Sequence, residues 1–159
     1  MIVDRAWIAA RIPHAGTMFL LDGVLEWDAG HIRCEATSHR AGDNPLRSNG
    51  CLHAACGIEY AAQAMAVHGA LCNSDGGRPR AGFLASVRSV ELAVDRLDGI
   101  AGSLAIAAER LGGDGSSSVL YGFVVSSEGR RLLAGRAAVI LDGSALVAQS
   151  ATPARPDAT

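Results

Sequence analysis

One carboxylate in this sequence is set apart by its surroundings. Between Leu52 and Leu71 the chain is rich in alanine, and Glu59 is the only formally charged residue there. Burial in apolar surroundings penalises the charged form of a carboxyl, so an unpaired Glu in such a stretch points to use rather than structure. The same penalty lets an acid hold its proton near neutral pH, the state a general acid needs. Gln63 follows one helical turn later, on the same face, placed to orient the carboxyl. The base that complements such an acid is a neutral imidazole. Of the five histidines, His39 lies at a strand end before a polar loop and is the first choice. His53, one to two turns before Glu59, is the second. His31 in a turn and His68 near a helix end read as structural.

Other chemistries are disfavoured. Cys51, His53 and Cys56 match no standard zinc spacing and lack a fourth ligand, so no metal is expected. The glycine clusters do not follow a strand-then-helix order, which argues against nucleotide binding. All 14 cationic residues are Arg, and a chain without Lys cannot form the Schiff base of pyridoxal-phosphate enzymes. No cofactor is therefore expected. A net charge of −2 and a pI near 6.2 lack the basic footprint of a nucleic-acid binder. The N-terminus has no basic patch followed by an apolar run, and no apolar stretch is long enough to span a bilayer. With no CxxC pair among four cysteines, reduced thiols and a cytoplasmic location are expected.

The elements that must hold these residues follow from patterning. Met18–Trp27 is apolar and strand-like, Asp28-Ala29-Gly30 is a turn, and His31–Thr37 alternates as a half-buried strand. A polar loop from Ser38 to Gly50 leads to the Ala-rich segment, which predicts a helix over 52–71, roughly 30 Å long. A helix apolar nearly all round belongs inside. It ends at Cys72-Asn73-Ser74-Asp75-Gly76-Gly77. Four β-like stretches follow, Ala81–Val94, Ser103–Arg110, Ser118–Ser126 and Arg131–Leu141, with Gly112–Gly115 and Ser127-Glu128-Gly129 as hairpin turns. Residues 1–142 make one domain, and 143–159 read as a disordered tail. An antiparallel sheet hides its apolar face by curling around such a helix. The expected class is α+β, a hot-dog fold: an antiparallel sheet wrapped around one long buried central helix. Its open edge invites pairing of two subunits.

Three segments carry a resemblance. Ile12-Pro13-His14 with the apolar run to Asp22, Glu59-Tyr60-Ala61-Ala62-Gln63, and Phe83–Arg88 resemble FabZ-type 3-hydroxyacyl-ACP dehydratases. Asn44-Pro45-Leu46-Arg47 and Gly57–Ala66 resemble the subgroup from aryl-polyene and related secondary acyl-chain gene clusters. The segment from His39 to Glu59 departs from FabZ, lacking its His-Phe-Pro-Gly and Pro-Gly-Val and being several residues longer. The resemblance implies dehydration of a 3-hydroxyacyl thioester to the trans-2-enoyl thioester, with His39 as base and Glu59 as acid across a dimer interface. It places Gln63, His14, His53, Gly57, Phe83 and Leu84 against substrate. The backbone around His53 to Gly57, at a helix N-terminus, is the expected polariser of the thioester carbonyl.

The partners it implies are an acyl carrier protein bearing a phosphopantetheine-linked chain and a second hot-dog subunit, as homodimer or heterodimer. Arg40, Arg47, Arg78 and Arg80 would steer the acidic carrier. Two other functions fit the same features. The altered loop suits a non-catalytic or half-site subunit, and a charged Glu59 that activates water suits a thioesterase.

Overall fold

The structure, a computed structural model, describes residues 1–12, 14–73, 82–113 and 117–141. Its elements run β1 (Val3–Asp4), α1 (Arg5–Ala9), β2 (Gly23–Trp27), β3 (His31–Ala36), α2 (Gly57–Cys72), β4 (Phe83–Leu92), β5 (Leu104–Gly112), β6 (Ser118–Ser127) and β7 (Arg130–Ile140). The strands form one sheet in the order β1-β2-β3-β5-β6-β7-β4, with every neighbouring pair antiparallel. The sheet curls around α2, which packs on β3, β5 and β6. This is the hot-dog fold.

Local chemistry accounts for the hairpins. The Asp28 carboxylate accepts from the backbone of Gly30 (2.7 Å) and His31 (2.9 Å), closing the β2–β3 turn. Glu128 and Gly129 both adopt positive φ, 50° and 78°, as a two-residue loop between right-twisted strands requires. Along β5 and β6 buried and exposed positions alternate, placing Leu104, Ile106, Val119, Phe123 and Val125 inside.

Two expectations change. The strand predicted from Met18 begins only at Gly23, because Leu20 and Met18 bond instead to the Gln63 side chain. The helix predicted from Leu52 begins at Gly57. Its predicted first turn is tied to the β4–β5 connection: Leu52 N–H donates to Asp98 (3.0 Å) and Ala54 N–H to the Asp95 carbonyl (2.9 Å). A 3-10 turn at Ala54–Cys56 then starts the helix. In the sheet β4 pairs with β7, so β4 is an edge. The short β1 and α1 carry no strong periodicity; Asp4 caps α1 by accepting from Trp7 N–H at 2.8 Å. The 143–159 tail, Arg78 and Arg80 lie outside the described residues.

Helix α2 is not enclosed on every side. Glu59, Ala62, Ala66, Gly69 and Ala70, spaced three and four apart, form a half-buried stripe, while Tyr60, Ala61, Ala64, Met65, Val67 and Leu71 are buried. Its first turn lies against β7 so closely that a Cβ on Gly57 would come within 2.5 Å of the Leu133 side chain.

Candidate active site

Glu59 opens the stripe of α2, and two side chains meet at one of its oxygens. Gln63 Nε2 donates to Glu59 Oε1 at 2.9 Å. His14 Nε2 stands 3.1 Å from the same oxygen, with the two side chains about a quarter to a third exposed. Gln63 is itself fully buried and fixed: its Oε1 accepts from Leu20 N–H (3.0 Å) and its Nε2 also donates to the Met18 carbonyl (2.8 Å). The amide therefore cannot rotate without breaking backbone bonds, and its N–H is held on Glu59. No described residue hydrogen-bonds Oε2, so one carboxyl oxygen is anchored and one is free to react.

This group sits on the wall of a cavity of about 650 Å³ that runs along the α2 stripe. Ile12, Ala62, Met65, Phe83 and Leu84 supply apolar walls, and His14 with Glu59 supplies polar chemistry. A long apolar trough with a few convergent polar groups suits an acyl chain.

The sequence candidates fall into two sets. Glu59, Gln63 and His14 come together, and Phe83 and Leu84 line the same cavity. His39 does not join them. Its ring is fully buried outside the cavity, Nε2 bonds the Ile100 carbonyl at 3.0 Å, and Nδ1 has no partner. Burial pushes the His39 pKa down, favouring the neutral ring. His53 is exposed, its Nδ1 4.0 Å from Cys51 Sγ, and does not reach the cavity. Gly57 packs on Leu133 instead of lining the cavity. In the backbone expected to polarise a carbonyl, three N–H groups are already engaged: Ala54 bonds Asp95, Cys56 bonds His53, and Gly57 bonds Ala54. Arg40 and Arg47 bind loop carbonyls, of Ala101 (2.6 Å) and Ala41 (2.8 Å) respectively. Among the described residues no three His, Cys, Asp or Glu side chains converge as a metal site needs.

Comparison with known families decides what this arrangement belongs to. The family model of the ApeP-like proteins, described as ApeP dehydratase, matches residues 6–146. The chain belongs to the ApeP-like dehydratase family. Solved structures share its fold. A chain of the dehydratase heterocomplex ApeI:P from Xenorhabdus doucetiae aligns at TM-score 0.76 and 24% identity, covering 89% of this chain and 95% of that one. AziG from S. sahachiroi aligns at 0.55 and 13% identity (74% and 88% covered). A hypothetical thioesterase from Streptococcus pneumoniae TIGR4, solved with coenzyme A, gives 0.54 and 15% identity (76% and 84%). No curated protein matches the chain.

Within this ApeP-like chain, several site-building residues carry no catalytic signature in sequence. The Ser38 hydroxyl donates to the Leu20 carbonyl (2.7 Å), so the 2.9 Å contact to Tyr60 is donated by the tyrosine. Asn44 Nδ2 then donates to Tyr60 Oη (3.0 Å) and the Ser38 carbonyl (2.9 Å). The Asn44–Arg47 and Gly57–Tyr60 segments are thus joined in one network behind Glu59. Arg5 holds the other side of Phe19–Leu21, donating to both carbonyls at 2.9 Å. Only the juxtaposition of a motif Tyr with a motif Asn hinted at this.

Proposed function

We propose that this chain dehydrates a 3-hydroxyacyl thioester, carried on an acyl carrier protein, to the trans-2-enoyl thioester. The observation that carries the reading is the His14–Glu59 pair, 3.1 Å apart on the wall of an apolar trough. His14 takes the C2 proton on Nε2, its Nδ1 being buried without a partner, while Glu59 gives a proton from Oε2 to the C3 hydroxyl. The C2–C3 double bond forms, the C3–O bond breaks and water leaves. The released water carries the proton from His14 back to Glu59 Oε2, which resets the pair. Gln63 fixes the carboxyl, so only its free oxygen turns toward substrate. The base is assigned to His14 because within one chain it stands beside Glu59, whereas the His39 ring is enclosed and off the cavity.

The chain works as one of two hot-dog subunits. Support comes from β4, a ten-residue edge strand with exposed Phe83, Leu84, Val90 and Leu92, and from the ApeI:P heterocomplex of similar fold. Phe83 and Leu84 also border the cavity, so a partner on this edge would close it against water.

Mass spectrometry of 3-hydroxyacyl-ACP incubated with the protein, alone and with its partner chain, tests the reading. An 18-dalton loss that disappears in Glu59→Gln and His14→Ala is expected. Wild-type turnover in Glu59→Gln overturns the assignment. Release of free thiol instead of water makes the protein a thioesterase, with Glu59 activating water.

A further inference from the structure

The inner face of the sheet holds α2 and the cavity, yet the outer face is apolar as well. Alternation along β6 buries Val119, Tyr121, Phe123 and Val125 and so turns Leu120, Gly122 and Val124 outward. Leu120 and Val124 are 40% and 37% exposed. Leu111 on β5, 47% exposed, lies against Gly122, where an ideal Cβ would stand 3.4 Å from its side chain. The water-facing side of an antiparallel sheet ordinarily carries polar residues. Three large aliphatic side chains together on neighbouring strands mark a contact surface.

Register gives this surface a direction. Gly122 pairs with Glu109 on β5 and with Arg136 on β7, and Arg136 pairs in turn with Arg88 on β4. From β5 to β4 the row therefore reads acid, glycine, base, base. Glu109 and Arg136 flank Gly122 two strand spacings apart, about 10 Å. All three charged residues are exposed, and none is in an ion pair among the described residues. Arg88 and Arg136, directly opposite one another, repel unless a carboxylate joins them. Shape divides the same way. The β5 side projects Leu111, whereas β7 carries only Ala134 beside Val124 and Ala138 beside Leu120.

We infer that the outer face of β5, β6 and β7 is a two-fold contact between two copies of this chain. When two such faces meet about an axis parallel to β6, each β5 residue stands over the β7 residue of the same row in the other copy. Glu109 of each copy then meets Arg136 of the other, and Leu111 meets the small side of β7. Leu120 and Val124 meet their own counterparts. An axis running across the strands would set Glu109 on Glu109 and Arg136 on Arg136, so charge selects the first arrangement. It also leaves the strands of the two sheets aligned, the usual geometry for sheets packed about 10 Å apart. The contact is independent of the dehydratase reading and of the β4 edge. Edge pairing sets a subunit beside this one, whereas this face joins two such units back to back.

Native mass spectrometry of the full chain, together with any subunit that co-purifies, counts the copies of this chain in each assembly. An even number is expected, and Val124→Arg, which sets Arg on Arg at the axis, should halve it. Sedimentation then reads the charge pairing. Glu109→Arg should raise the dissociation constant at least about tenfold, because like charges meet twice about the axis. Adding Arg136→Glu to it should restore the wild-type mass, which a charge exchange acting only within one chain would not do. Where a charged variant loses its thermal transition, Leu120→Ser, a milder change at an exposed position, should weaken the pairing instead. One copy of this chain per wild-type assembly overturns the inference. So does a copy number that none of these substitutions lowers, or a folded double variant that stays at half mass.

Discussion

Glu59 shows how a carboxyl acquires distinct oxygens. His14 and Gln63 both address Oε1, leaving Oε2 without a partner among the described residues. Removing the proton-transferring group should cost about 100-fold or more in kcat, with KM little changed, for both Glu59→Gln and His14→Ala. His39→Ala should behave differently. Its ring is enclosed, so loss of its packing should lower the urea midpoint by an amount worth about 2 kcal/mol, while turnover per folded molecule persists. The buried imidazoles also set a pH dependence. His39 and His68 have folded pKa values below the ordinary 6.5, so below that pH the unfolded chain binds more protons than the folded one. Stability should fall as pH drops below about 6.5, toward the depressed folded values. Asp98 acts lower on the scale. The Arg96 guanidinium beside it holds its carboxyl well below 3.8, so its contribution is present above that value and lost with further acidification. Thermal melts from pH 8 to pH 3 would show both declines; a flat profile between 7 and 5 would refute the histidine part.

At the scale of elements, two close approaches fix where the site residues stand. Gln63 bonds the chain before β2 to α2, because Met18 and Leu20 have no strand partner and take the amide instead. Gln63→Leu should orphan these backbone groups at about 1–3 kcal/mol each and also free the Glu59 carboxyl. Denaturant unfolding measures the first effect, and a kcat loss larger than the KM change marks the second. Gly57 permits the other approach. Gly57→Ala would place a methyl group on the Leu133 side chain and should destabilise by about 1–3 kcal/mol, unless β7 shifts. A neutral melting temperature would mean that Leu133 moves aside at little cost.

For the whole molecule, the open question is the edge. A seven-stranded sheet closed around a helix ends in β4, whose outer edge and exposed apolar side chains have no cover among the described residues. Long exposed edges pair with other strands. Leu84→Lys and Leu92→Lys together should shift the protein to a smaller species in size-exclusion chromatography with light scattering, and lower activity with it. An unchanged mass would place the subunit contact elsewhere. Among the described residues no helix is long and apolar enough to cross a membrane.

Composition and periodicity were enough to read the helix around Glu59, the turns at Asp28 and Glu128, and most strands of the sheet. These depend on neighbours in sequence: alanine-rich helix propensity, alternation with period two, and turn residues that tolerate positive φ. The motifs around His14 and Glu59 also marked two segments that the fold brings together, without joining them. What sequence could not decide were contacts between distant residues. Gln63 reaches Leu20 across 43 positions and His68 reaches Tyr121 across 53, and the second pair read as unremarkable structure. The chain's choice of His14 over His39 beside Glu59 is of the same kind. Both are a histidine after a short motif in one dimension, and only packing turns one ring toward the cavity and encloses the other.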